Sequence, residues 1–165
     1  MKRRNLSLLA LLCCTAFGSG QLNRPDYSGT WKLNTNKSTQ DGPADRVYIK
    51  TVKQDKNSIT VATKADGVTN LIDGTFPLSE KFKVEKQGNN DYRYTRAYWE
   101  GSTIKFELAD RDSKKETAKY LFYIREGWTL SPDGKVLTTF RQTAEPAKPG
   151  EKPRLTDQKY VYDKQ

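Results

Sequence analysis

Tyr92-Arg93-Tyr94-Thr95-Arg96-Ala97-Tyr98-Trp99-Glu100-Gly101-Ser102-Thr103-Ile104-Lys105-Phe106-Glu107-Leu108 decides the fold. Tyr92, Tyr94, Arg96 and Tyr98 recur at every second position. Glu100-Gly101 interrupts the run, and Ile104, Phe106 and Leu108 then alternate with Lys105 and Glu107. Successive strand side chains point to opposite faces, so a period of two in aromatic and β-branched residues marks half-buried strands. An amphipathic helix would repeat every 3.6 residues.

The same rhythm extends in both directions. Val47, Ile49 and Thr51 alternate with Tyr48, Lys50 and Val52, and Ile59, Val61 and Thr63 follow a turn at Asp55-Lys56-Asn57. Gln87-Gly88-Asn89-Asn90 and Ser131-Pro132-Asp133-Gly134 supply the residues that tight turns require. Strand, turn and strand recur about every 10 to 15 residues with no amphipathic helix between them. The pattern predicts an all-β, antiparallel up-and-down meander of about eight to ten strands. Closure into a barrel hides its edges most completely, with a sandwich as the competing arrangement.

Tyr120-Leu121-Phe122-Tyr123-Ile124 is apolar on both faces and reads as a central or covered strand. Ala144 to Pro153 reads as an extended loop, Lys159-Tyr160-Val161-Tyr162 as a closing strand, and Asn34 to Ser38 as one helical turn.

The first twenty residues have a different character. Lys2, Arg3 and Arg4 precede an apolar run from Leu6 to Cys14, and Ala16-Phe17-Gly18-Ser19-Gly20 supplies small residues for cleavage. This is the pattern of an export signal. The apolar run is about half the roughly 20 residues that a spanning helix needs. The organisation is therefore a signal peptide over 1–20 and one domain over 21–165, periplasmic or secreted, with no membrane span. A lipid anchor at Cys13 or Cys14 is the alternative, but Leu12 is a poor match to the small residue that normally precedes a lipidated cysteine.

Composition narrows the chemistry. There is no histidine, and the only two cysteines lie in the export signal. Ser-His and Cys-His catalysis, thiolate nucleophiles, His or Cys metal ligation and disulfides are thus excluded from the domain, and no cofactor is implied. Asp110-Arg111-Asp112 places two carboxylates two residues apart, but its continuation into Ser113-Lys114-Lys115-Glu116 reads as a polar hairpin loop. Lysine and arginine outnumber aspartate and glutamate by 29 to 20. The charges mostly alternate in sign, as in Glu80 to Lys86, where a nucleic-acid partner would require clustering. A weak preference for anionic ligands fits better.

Several segments resemble a family of small secreted bacterial proteins without an established activity. Ser28-Gly29-Thr30-Trp31-Lys32-Leu33-Asn34, with Lys37-Ser38, is similar to that family's opening. Asp73-Gly74 with Pro77, Asp133-Gly134-Lys135-Val136-Leu137-Thr138 and the final Val161-Tyr162-Asp163-Lys164-Gln165 are similar to its later motifs. Gly29-x-Trp31 also resembles the opening of the lipocalins. That resemblance implies that Trp31 plugs one barrel end against an arginine from a late strand, for which Arg125 and Arg141 are candidates. The mid-chain Thr-Asp-Tyr motif of lipocalins is absent.

Function is then expected to be non-enzymatic. Tyr94, Arg96 and Tyr98 share a face, and with Tyr120 and Phe122 they are the candidate ligand-binding residues. If they line the barrel, they offer stacking surface, phenol donors and one cation to a small amphipathic or anionic ligand. The alternative is a structural or protein-interaction domain of the bacterial envelope whose barrel is filled by its own side chains. For export, mass spectrometry of the processed protein is expected to find an N-terminus between Ser19 and Gln21. An acylated Cys13 or Cys14 would show a lipoprotein instead.

Overall fold

A computed structural model describes residues 24–39, 47–65, 72–88, 91–114, 120–145 and 153–165. Ten strands follow one another: β1 (Gly29–Leu33), β2 (Tyr48–Gln54), β3 (Ser58–Ala65), β4 (Gly74–Pro77), β5 (Lys83–Lys86), β6 (Tyr92–Glu100), β7 (Thr103–Arg111), β8 (Tyr120–Leu130), β9 (Val136–Glu145) and β10 (Arg154–Lys164). They make one sheet in the order β4-β3-β2-β1-β10-β9-β8-β7-β6-β5. Every neighbouring pair is antiparallel. All neighbours are consecutive in the chain except β1 and β10, whose pairing joins the two ends of the meander. The segment that follows β4 also reaches across to β6. The Ser79 amide donates to the Ala97 carbonyl at 2.7 Å, and Leu78 forms an isolated parallel bridge to Ala97. The protein is thus an all-β up-and-down meander curled into a lipocalin-like barrel. Among the described residues the one helical element is the 3₁₀ turn Thr35–Lys37, inside the stretch read as a helical turn.

Two turns show why the hairpins form where they do. The Asp55 carboxylate accepts from the Asn57 and Ser58 amides at 2.7 Å each, which tightens the β2–β3 turn. Gly134, at φ 68°, takes the left-handed position of the β8–β9 turn, and the Ser131 amide donates to the Val136 carbonyl at 2.9 Å. Three elements are longer than the sequence pattern predicts; one is β9, which runs through Ala144 and Glu145 at the start of the expected loop. β7 continues through Asp110 and Arg111, which read as loop, because Arg93 on β6 grips the Asp110 carboxylate with two 2.8 Å hydrogen bonds. β10 begins at Arg154 rather than near Lys159, because its polar first half is zipped to β9 from Arg154–Glu145 onward. Residues 146–152 of the expected loop lie outside the described residues, as do Asn89 and Asn90 of the expected turn.

The core lies on the face carrying Trp31, Val52, Ile59, Val61, Ile104, Phe106, Ile124, Trp128 and Leu137. Each fully buried large apolar side chain contributes roughly 1.5–3 kcal/mol. Aromatic residues close one end. The Tyr27 hydroxyl donates to the Trp128 carbonyl at 2.7 Å, and Trp31 Nε1 donates to the Tyr27 carbonyl at 3.0 Å. Tyr27 stacks on Trp99 at 6.0 Å. Burial pushes the Tyr27 phenol up to about 12. The cation beside Trp31 is neither Arg125 nor Arg141 but Lys164, whose Nζ lies 5.2 Å from the ring centroid. β10 pairs Lys164 directly with Trp31, whereas Arg141 turns to a carboxylate inside the barrel. Gly29 makes this approach possible. It sits at φ 141°, and a Cβ there would come within 3.0 Å of Lys164 Cε.

Trp31→Ala is expected to lower stability by about 3–5 kcal/mol, the usual cost of removing a buried large aromatic. The shift in guanidinium midpoint measures it, and an unchanged midpoint would mean that Trp31 carries no packing load.

Candidate functional site

The sheet does not bring the five expected ligand residues to one face. Tyr94, Arg96 and Tyr98 pair with Ala109, Glu107 and Lys105, opposite to Ala97 and Phe106, which belong to the core. These three therefore lie on the outer wall. Phe122 pairs with Asp110, two residues before the core residue Ile124, and packs partly buried against the core. The Tyr120 backbone pairs with Arg111, and its side chain lies outside the described residues. Period two identifies residues that share a face but not which face is inside. Here the inner row of β6 is the smaller one, and Ala97 leaves room for Phe106 across the strand pair.

The outer aromatics are held by cations. The Arg96 guanidinium lies 4.3 Å from the Phe82 ring centroid and 4.7 Å from that of Tyr98. Arg111 lies 4.5 Å from Tyr94, which also meets Phe82 edge-on at 6.0 Å. These covers bury Tyr94 although it faces outward. Glu107 is the hub, only 4 % exposed. It accepts two hydrogen bonds from Arg96 at 3.0 and 2.7 Å and one from the Tyr98 hydroxyl at 2.9 Å, and Arg125 approaches it at 3.4 Å. Burial, with Glu107 beside it, pushes the Tyr98 phenol up.

Next to this hub the outer wall holds a groove of about 650 Å³. Its centre is the cross-strand row Lys105–Gly127–Phe140–Lys159, which runs from β7 to β10. Beside it runs Arg96–Glu107–Arg125–Gln142–Asp157. The dent arises because Gly127 has no side chain. Lys105 lies across it, and a Cβ on Gly127 would meet Lys105 Nζ at 3.2 Å. Phe140 is 55 % exposed and Arg125 is 54 % exposed. Gln142 Nε2 donates to Asp157 Oδ1 at 3.0 Å. The groove can present an aromatic face, fixed positive charge and amide and carboxylate acceptors to one molecule. Among the described residues none of the expected ligand residues lines this groove, and Gly127 and Phe140 are not among those expected. Their only sequence signal was a glycine and an outward aromatic on adjoining strands.

A second polar constellation lies inside the barrel. Glu126 is fully buried and accepts from Arg141 Nε at 2.6 Å and Trp128 Nε1 at 2.7 Å. Lys50 Nζ, equally buried, reaches Glu126 Oε1 at 3.5 Å, longer than an ordinary hydrogen bond. It rests 4.4 Å from the Trp128 ring centroid and 4.9 Å from that of Tyr162. Burial pushes the Glu126 carboxyl upward, but the Arg141 and Lys50 cations and the hydrogen bonds outweigh it and hold the group at about 2. Burial lowers Lys50 against the opposing pull of Glu126. Lys50 and Glu126 are both shut off from solvent, and the ion pair ties β2 to β8 across the interior. Glu126-Gly127-Trp128 places the carboxylate on the tryptophan's face, a signal legible in the alternation.

Compared with known proteins, the chain matches no family model and no curated protein.

The Glu126 carboxylate is more acidic folded than unfolded. Its contribution to stability is complete above its ordinary value of 4.5 and is lost as pH falls from there towards about 2. Glu126→Gln is expected to cost about 3–5 kcal/mol at neutral pH, because the buried Lys50 and the partly buried Arg141 lose their carboxylate. The difference in denaturant stability between wild type and variant should shrink across that pH window. A pH-independent difference would mean that Glu126 acts by shape alone.

Proposed function

We propose that this chain is an exported, non-enzymatic binding module for a small amphipathic or anionic ligand, held on the outer wall of the barrel. The observation that carries the reading is the groove over Gly127. Its volume falls within the roughly 300–1,000 Å³ range of small-molecule pockets, and it combines an exposed aromatic ring with convergent polar groups. The interior is the less suitable place, since Trp31, Trp128, Tyr27, Lys50, Phe106 and Glu126 fill it with fully buried side chains. That filling favours the second reading, an envelope structural or interaction domain, which needs no ligand at all. The pattern of residues 1–20 supports a periplasmic or secreted location, and the Gly29-x-Trp31 opening supports kinship with small secreted lipocalin-like proteins.

Titration with 8-anilinonaphthalene-1-sulfonate, an aromatic anion, tests the binding reading. Saturable one-to-one binding is expected, weakened about tenfold by Phe140→Ala and by Arg125→Gln, each the loss of one anchoring contact. Absence of saturable binding, or affinity unchanged in both variants, would overturn it in favour of the structural domain.

A further inference from the structure

We propose that the ligand of the outer groove is an acidic saccharide, a short chain of uronic acid units; this rests on the binding reading above and narrows it. A uronate ring has an apolar C–H face, a rim of hydroxyls and one carboxylate, and the groove supplies a counterpart to each. Phe140 stands exposed on the wall as a flat apolar platform. Gln142 and Asp157 are bonded to each other through Nε2 and Oδ1, which leaves Gln142 Oε1 and Asp157 Oδ2 as acceptors for hydroxyl donors.

Positive charge for the carboxylate comes from Arg125. The carboxylate it approaches, Glu107, is already held by two shorter hydrogen bonds from Arg96, so Arg125 is only partly compensated. Lys159 adds a second cation, 6.0 Å from the Phe140 ring centroid on the neighbouring strand.

Other anions fit less well. An alkyl carboxylate needs a continuous apolar channel, and this groove has one aromatic ring among polar side chains. A polyphosphate would meet Asp157 within the groove and the Glu100 carboxylate 3.2 Å from Lys105 Nζ. A ligand with hydroxyls between isolated carboxylates turns Asp157 from a repulsive group into an acceptor. Neighbouring strands lie roughly 4.8 Å apart, so the groove across β7 to β10 spans about 14 Å, the length of a short oligosaccharide. Gly127 at its centre keeps the floor low enough for the Lys105 side chain to lie flat across it, which leaves the groove open above.

The experiment is calorimetric titration of the folded protein with trigalacturonate, its methyl-esterified form, neutral galactotriose and 8-anilinonaphthalene-1-sulfonate. Trigalacturonate is expected to bind saturably. The esterified and neutral sugars should bind at least tenfold more weakly. Phe140→Ala and Arg125→Gln should each reduce trigalacturonate affinity about tenfold, and Gly127→Val, at an unstrained strand position, should abolish binding. Both truncated side chains are more than half exposed, so their variants keep the fold, which circular dichroism verifies. Sulfonate binding in the groove without trigalacturonate binding would overturn the saccharide assignment and leave the binding module standing. Failure of all four probes would overturn both. Trigalacturonate affinity unmoved by Phe140→Ala and Arg125→Gln would place the sugar elsewhere and overturn this site.

Discussion

The pairing of β1 with β10 is the constraint on which the rest of the molecule depends. Without it the chain would be two runs of hairpins with four exposed strand edges. With it, Trp31 is brought opposite Lys164, and Leu33 opposite Tyr162. The curled sheet then has a definite inside, closed at one end by Tyr27, Trp31, Trp99 and Trp128. The contact joins the first strand to the last, so its loop-closure entropy spans nearly the whole domain. The aromatic plug offsets that cost through burial and through hydrogen bonds that satisfy the Trp31 indole and the Tyr27 hydroxyl.

Closure also explains the charges in the interior. Glu126 on β8 and Arg141 on β9 are direct cross-strand partners, but Lys50 on β2 reaches them only because the sheet curls. A carboxylate between two cations, capped by an indole N–H and flanked by aromatic faces, is costly to assemble but specific once formed. A slip of one residue in β8 would turn Glu126 outward and Gly127 inward, so the cluster opposes register errors that hydrophobic alternation alone tolerates poorly but does not forbid.

The same register builds the outer wall. With Trp128 and Glu126 inward, Arg125 and Gly127 must face outward. Gly127 then falls between Lys105 and Phe140 on the adjoining strands. The groove is thus a by-product of the core's phase. Glu107, outward but nearly buried, marks where the aromatic and arginine layer on β6 and β7 ends and the more open groove begins.

Much of the fold was legible in the chain because strand formation is local. The alternation in Tyr92 to Leu108, the Asp55 and Gly134 turns and the recurrence of hairpins each depend on neighbours a few residues apart. The sequence by itself determined an antiparallel meander, the importance of Gly29 and Trp31, and a chain without histidine whose two cysteines are Cys13 and Cys14. Only the tertiary structure decided which face is inside. Alternation is symmetric between two faces, and the choice rests on contacts between distant strands, such as small Ala97 against Phe106. It therefore decided that Tyr94, Arg96 and Tyr98 lie outside, that Lys50 is buried, that Lys164 rather than an arginine meets Trp31, and that a glycine on β8 and a phenylalanine on β9 share a groove. Each of these depends on cross-strand register, which pairs residues far apart in sequence and leaves no local pattern to read.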